Sequence, residues 1–141
     1  MYSTTIYFQA THITDDMTAS DKIELQQAYF AFGKNKLSTE GEQSLDLIAE
    51  EMKANSEFKL QINGHNNKME DEVGMENDYY ADMDNKRIAS VMEYLEAKGI
   101  DKARMMPAAK GAESPNPDIS EEDDEDLQMA KDRRVTFKVR P

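Results

Sequence analysis

Two amphipathic stripes on either side of one alternating segment constrain the fold of this chain more than any other feature. Leu45, Ile48, Ala49 and Met52 fall at i, i+3, i+4 and i+7 opposite Asp46, Glu50 and Lys53, which predicts a helix with one buried face. Thr39 and Glu42 have the T-x-x-E spacing of a capping box, Ser38 is a second candidate cap, and Asn55 is the expected terminator. Phe58, Leu60 and Ile62 then alternate with Lys59 and Gln61, as in a half-buried strand, and Asn63-Gly64 is expected to stop it. From about Asp78 the pattern is helical again. Met83, Ile88, Val91, Met92 and Leu95 share a broad face, and Lys98-Gly99 supplies a basic last turn and a terminal glycine.

Further strands complete the order. Ile23-Glu24-Leu25 leads into Ala28-Tyr29-Phe30-Ala31-Phe32, an aromatic-rich run ending at Gly33. Arg104-Met105-Met106 and Ala108-Ala109-Lys110-Gly111 suggest a short or irregular strand with Pro107 as an interruption, and Val135, Phe137 and Val139 alternate in a closing strand. Thr4 to Ala10 reads as a short edge strand or ordered tail. The resulting β-α-β-α-β-β order contains two strand-helix-strand units, whose right-handed crossovers place both helices on one face of a mixed sheet. The expected fold is an α+β, two-layer sandwich. One domain over residues 21–141, preceded by an extension or edge strand at 1–20, accounts for the 141 residues.

Charge narrows the function. Seventeen Lys and Arg against 29 Asp and Glu leave a net charge of −12, which repels polyphosphate backbones and anionic lipid surfaces, so neither nucleic acid nor a membrane surface is expected as a partner. No apolar run approaches the ~20 residues of a membrane helix. The chain has no Cys, which excludes disulfides, thiolate metal sites and a cysteine nucleophile. His12 and His65 are its two histidines, and neither lies in a nucleophile elbow or a metal-binding pair, so a hydrolase is disfavoured. No phosphate-cradling glycine loop occurs, and no cofactor is expected. The acidic run Glu121 to Asp126 lacks the glycine and alternating ligands of a calcium loop. We therefore expect a solvated loop over 118–126, available to protein partners. Ten Met residues fall largely on the helix stripes, where gap-filling core is the ordinary role. The polar stretch from His65 to about Asn77 is long enough to suggest a functional loop.

Several fragments occur in a telling order: Tyr29-Phe30-Ala31-Phe32-Gly33-Lys34, Ile62-Asn63-Gly64-His65, Lys86-Arg87-Ile88-Ala89-Ser90-Val91-Met92-Glu93-Tyr94-Leu95, Lys98-Gly99-Ile100 and Ala130-Lys131-Asp132-Arg133-Arg134-Val135. Together they resemble the OmpA-like peptidoglycan-binding domain over roughly residues 21–140. The resemblance implies a noncatalytic, periplasmic module. It would anchor an outer-membrane-associated protein to the cell wall by gripping the diaminopimelate of the peptidoglycan stem peptide. It also implies a zwitterion clamp, in which an Asp after a G-H-T segment takes the ligand ammonium and the second basic residue of an L-S-x-R-R-A motif takes its carboxylate.

On that pattern Arg87 holds the ligand carboxylate. G-H-T-D becomes Gly64-His65-Asn66-Asn67, so Asn66 and Asn67 face the ammonium with neutral amides. A Tyr-Asn pair becomes Tyr79-Tyr80, and L-S becomes Met83-Asp84. Replacing a charged bond by a neutral one would cost about 1 kcal/mol. Against that pattern a few residues are added after Asn67, and Glu70, Asp71 or Glu72 could supply the missing carboxylate; Asp82 and Asp84 compete for that role or pair with Arg87 and Lys86. Arg133 and Arg134 either complete the pocket or balance the acidic loop. The alternative is a degenerate member, marked by Asn67 and Tyr80, that serves as an interaction or spacer module without wall binding.

Overall fold

The computed structural model describes residues 14, 16–113 and 115–140. The segment Thr4 to Ala10 lies outside them. Four strands form one mixed sheet: β1 (Gln27–Tyr29), β2 (Lys59–His65), β3 (Met105–Gly111) and β4 (Arg134–Arg140), in the spatial order β1-β4-β2-β3. β4 runs antiparallel to both β1 and β2, whereas β2 and β3 are parallel. The long helices α2 (Thr39–Ala54) and α4 (Met83–Ala97) cross between parallel strands and pack on the sheet and on each other. The expected stripes are the buried ones. Leu45, Ile48, Ala49 and Met52 of α2 and Ile88, Val91 and Leu95 of α4 meet Leu60, Ile62, Val135 and Phe137 in a single core.

Local differences from expectation have identifiable causes. Ile23 belongs to a short helix, α1 (Ala19–Glu24), because the Thr18 hydroxyl accepts the Asp21 amide and nucleates a turn. β1 stops at Tyr29, and Phe30 leaves it to enter the core. Ser38, not Thr39, caps α2: its hydroxyl accepts the Gly41 amide at 3.0 Å. β2 continues through Asn63-Gly64. Gly64 is needed there for proximity, since a Cβ would run into the Asp84 carbonyl and the Ile88 side chain. Pro107 does not interrupt β3, which lies at the sheet edge and pairs with β2 alone, so its missing N–H costs no ladder bond on the open side. Arg104, just before β3, donates to the carbonyls of Met52, Asn55 and Phe58 and thereby satisfies the end of α2.

The long loop after β2 is the largest difference. It holds a helix, α3 (Lys68–Gly74), followed by a 3-10 turn at Asp78–Tyr80. The acidic loop is also shorter than expected, because α5 (Glu125–Asp132) begins within it, capped by Asp124. Lys131 of α5 reaches back to Asp123 at 2.6 Å and to the Asp118 carbonyl at 2.9 Å, which folds the acidic run onto its own helix. Among the described residues, no helix is long and apolar enough to cross a membrane.

Candidate functional site

The C-terminal end of β2, the loop after β1, α3 and the first turns of α4 converge on Arg87. Its guanidinium is fully buried and lies over the Phe30 ring at 5.3 Å. All five N–H groups are used. Nε donates to the Lys34 carbonyl at 3.0 Å, Nη1 to the His65 carbonyl at 3.1 Å and to Glu70 Oε1 at 2.8 Å, and Nη2 to the Ala31 carbonyl at 3.2 Å and to Glu70 Oε2 at 2.6 Å. The two bonds to Glu70 run in parallel, the fork-on-fork geometry that a guanidinium gives to a carboxylate.

Glu70 is equally enclosed, at 0% exposure. Besides Arg87 it accepts the Gly33 amide at 2.7 Å and the Asn67 amide at 3.2 Å, so its four acceptor positions are filled. Gly33 can present its N–H because it sits at φ 63°, and a Cβ there would strike the Tyr80 ring. Asn67 accepts the Glu70 amide at 2.7 Å and completes a capping box that starts α3. The segment after Asn67 therefore folds into a helix whose third residue delivers a carboxylate to Arg87.

The remaining expected site residues separate into groups. Asn66 donates from Nδ2 to Asp71 at 2.8 Å, and its backbone N–H donates to the Gly111 carbonyl at 2.8 Å. Asp84 accepts the Gly111 amide at 3.0 Å, so Asn66, Asp71 and Asp84 gather around the end of β3 rather than against Arg87. Tyr80 packs beside Phe32 and Tyr79. Glu72 is exposed. Asp82 starts α4 in a left-handed conformation and makes no side-chain cap, whereas Asp84 is buried. Arg133 is buried and donates from Nε to the Phe30 carbonyl at 2.9 Å. Burial lowers its pKa, the nearby Glu70 opposes that, and Arg87 adds to it.

His65 shapes the end of β2. Its Nε2 is 3.0 Å from the Thr136 hydroxyl, and its pKa is pushed down to about 3, chiefly by burial and further by Arg134 and Lys110. The imidazole is thus neutral at neutral pH. Among the described residues, three buried polar atoms on the segment 65–67 have no hydrogen-bond partner: His65 Nδ1, Asn66 Oδ1 and Asn67 Nδ2.

The loop after β1 contributes Ala31, Gly33 and Lys34, which sequence reasoning did not assign to the site. The positive-φ glycine in Phe32-Gly33-Lys34 was the available signal. A shallow cavity of about 490 Å³ opens on the outer side of this loop, lined by Tyr29, Ala31, Lys34, Leu37 and Ser38 among others. Nearby, Tyr79 is 55% exposed, with Lys34 and Lys86 ammonium groups 5.6 and 6.0 Å from its ring centre. Among the described residues no group of three His, Asp or Glu is placed to hold a metal ion.

The chain matches the OmpA family over residues 29–128, a span that includes Gly33, Asn67, Glu70 and Arg87. Among solved structures it is similar to the peptidoglycan-associated lipoprotein from Burkholderia pseudomallei, with 21% identity, a TM-score of 0.65, and 81% of this chain and 89% of that chain covered. It is similar to the C-terminal domain of Helicobacter pylori MotB, with 13% identity, a TM-score of 0.62, and 81% and 82% covered. It is also similar to the cell wall anchor of the T6SS from Pseudomonas aeruginosa, with 18% identity, a TM-score of 0.59, and 79% and 73% covered. At these identities the likeness is one of fold. No curated protein matches the sequence. With the family match covering most of its length, and a fold like that of those structures, the chain belongs to the OmpA family.

Proposed function

We propose that this domain is a noncatalytic module that binds peptidoglycan noncovalently and, from the periplasm, anchors an outer-membrane-associated protein to the cell wall. Its ligand is the diaminopimelate of the stem peptide, with the side-chain carboxylate received by Arg87. One observation carries this reading: the guanidinium at the family's basic position already grips a carboxylate with two parallel bonds, at 2.8 and 2.6 Å. The cavity beside Ala31 and Lys34 offers room for the adjoining peptide. The names of the similar solved structures agree, since two of them refer to peptidoglycan or to the cell wall.

A single comparison tests the proposal without altering the protein. Diaminopimelate is lysine with one further carboxylate, so cosedimentation with diaminopimelate-type and lysine-type peptidoglycan isolates the contribution of Arg87. We expect binding to the first and at least about tenfold weaker binding to the second, the scale of one charge-assisted hydrogen bond. Equal binding would remove Arg87 from the interface. No binding to either would favour the second reading, an interaction or spacer module without a wall ligand. The use of Asn67 as the cap of α3, which takes its side-chain oxygen away from a ligand ammonium, is the observation that favours that reading.

A further inference from the structure

Glu70 stands where an incoming carboxylate would have to bind. Both of its oxygens face Arg87, and both groups are sealed from solvent. Yet the element that carries Glu70 is lightly held. α3 has seven residues, Glu70 is its one buried residue, none of its side chains belongs to the hydrophobic core, and its main packing partner is the 3-10 turn at Asp78–Tyr80. The segment that leads into α3 is also incompletely satisfied in this arrangement, since among the described residues Asn67 Nδ2, Asn66 Oδ1 and His65 Nδ1 are buried without partners. A closed state that leaves three polar atoms unpaired on the segment leading into α3 is one that a better-matched ligand can replace.

We propose that Arg87 is an exchangeable carboxylate site and that Glu70 is its tethered occupant. A ligand carboxylate enters by taking the place of Glu70 and releasing α3. The exchange is like for like, so the guanidinium has a bidentate carboxylate partner in both the closed and the ligand-bound state. What is lost is local: the bonds of Glu70 to the Gly33 and Asn67 amides, and the capping box of α3. Apparent affinity is then the intrinsic affinity reduced by the fraction of molecules with Glu70 withdrawn. Glu70 thereby sets which carboxylates gain entry: a ligand must offer contacts beyond the carboxylate itself to outcompete a group already attached to the chain. The exchange stands on the geometry alone. Its use in wall attachment rests on the peptidoglycan-binding reading above.

Two readouts separate these statements. The first is thermal unfolding of Glu70→Ala in acetate and in chloride at equal ionic strength. Acetate fills the vacated position before Arg87, so the variant melts several degrees higher in acetate than in chloride, while the unaltered protein shows no such difference. A folded variant with the same melting temperature in both salts overturns the proposal. If Glu70→Ala does not fold, Glu70→Ser, which likewise leaves the position before Arg87 vacant, is measured in the same way with the same two outcomes. The second readout is cosedimentation with diaminopimelate-type peptidoglycan, where the variant binds about tenfold or more tightly than the unaltered protein. Binding that is no tighter overturns the gating role of Glu70. Acetate rescue with no wall binding by either protein upholds the exchange and rejects the peptidoglycan reading.

Discussion

Arg87 shows how little a residue's type says about its surroundings. A basic residue on a helix in a chain of net charge −12 would ordinarily face water, and the motif around it implied a ligand. In the structure it is a fully enclosed hub joining four elements through five hydrogen bonds. Arg87→Met should therefore destabilise the domain by about 3–5 kcal/mol in urea unfolding, because Glu70 is left buried without its counter-ion. An exposed arginine would change the unfolding free energy by less than about 0.5 kcal/mol. His65 makes a second prediction. Its pKa is pushed from an ordinary value near 6.5 down to about 3, so below pH 6.5 the unfolded chain takes up a proton that the folded protein refuses. Stability from this residue is intact above pH 6.5 and is lost as pH falls toward 3. Urea midpoints measured between pH 7 and 5, above most carboxylate titrations, should fall for the unaltered protein and fall less for His65→Gln. Parallel curves would contradict the assignment.

Elements were legible where periodicity was long and hidden where it was short. The stripes of α2 and α4 span several turns, and their buried residues are the ones the 3.6-residue spacing selects. α3 has only Met69 and Val73 as half-buried apolar side chains, so periodicity could not reveal it. The N-x-x-E pair of Asn67 and Glu70 was the signal that could have, since it is a capping box in sequence as well as in structure. Reading Asn67 only as a weakened ligand contact concealed its local role. Asn67→Ala should cost about 1 kcal/mol in unfolding and speed hydrogen exchange at the α3 amides. Unchanged exchange there would deny it the capping role. The start of α4 is strained in a different way: Asp82 holds φ 56° with no side-chain cap in return. Asp82→Gly should raise stability by about 0.5–1 kcal/mol, and a lowered thermal midpoint would contradict that.

At the scale of the molecule, the sheet order places β4 between β1 and β2, so the last strand of the chain closes the site built by the earlier ones. Arg133, at the entry to β4, and Phe30, just past β1, exchange backbone and side-chain hydrogen bonds at 2.9 Å, and Phe30 in turn supports Arg87. This long-range closure has no local sequence signature. The fold class followed from element order, whereas the pairing of Arg87 with Glu70 required the tertiary structure. A net charge of −12 gives no general attraction to an anionic wall, so the proposed recognition rests on this one buried contact. The most direct measurement is an NMR titration of the unaltered domain with a stem peptide ending in diaminopimelate, set against the same peptide ending in lysine. The Gly33 and Glu70 amides, which the Glu70 side chain and the α3 cap hold in place, should shift with the first peptide and remain still with the second. Equal shifts with both peptides, or none with either, would contradict the account.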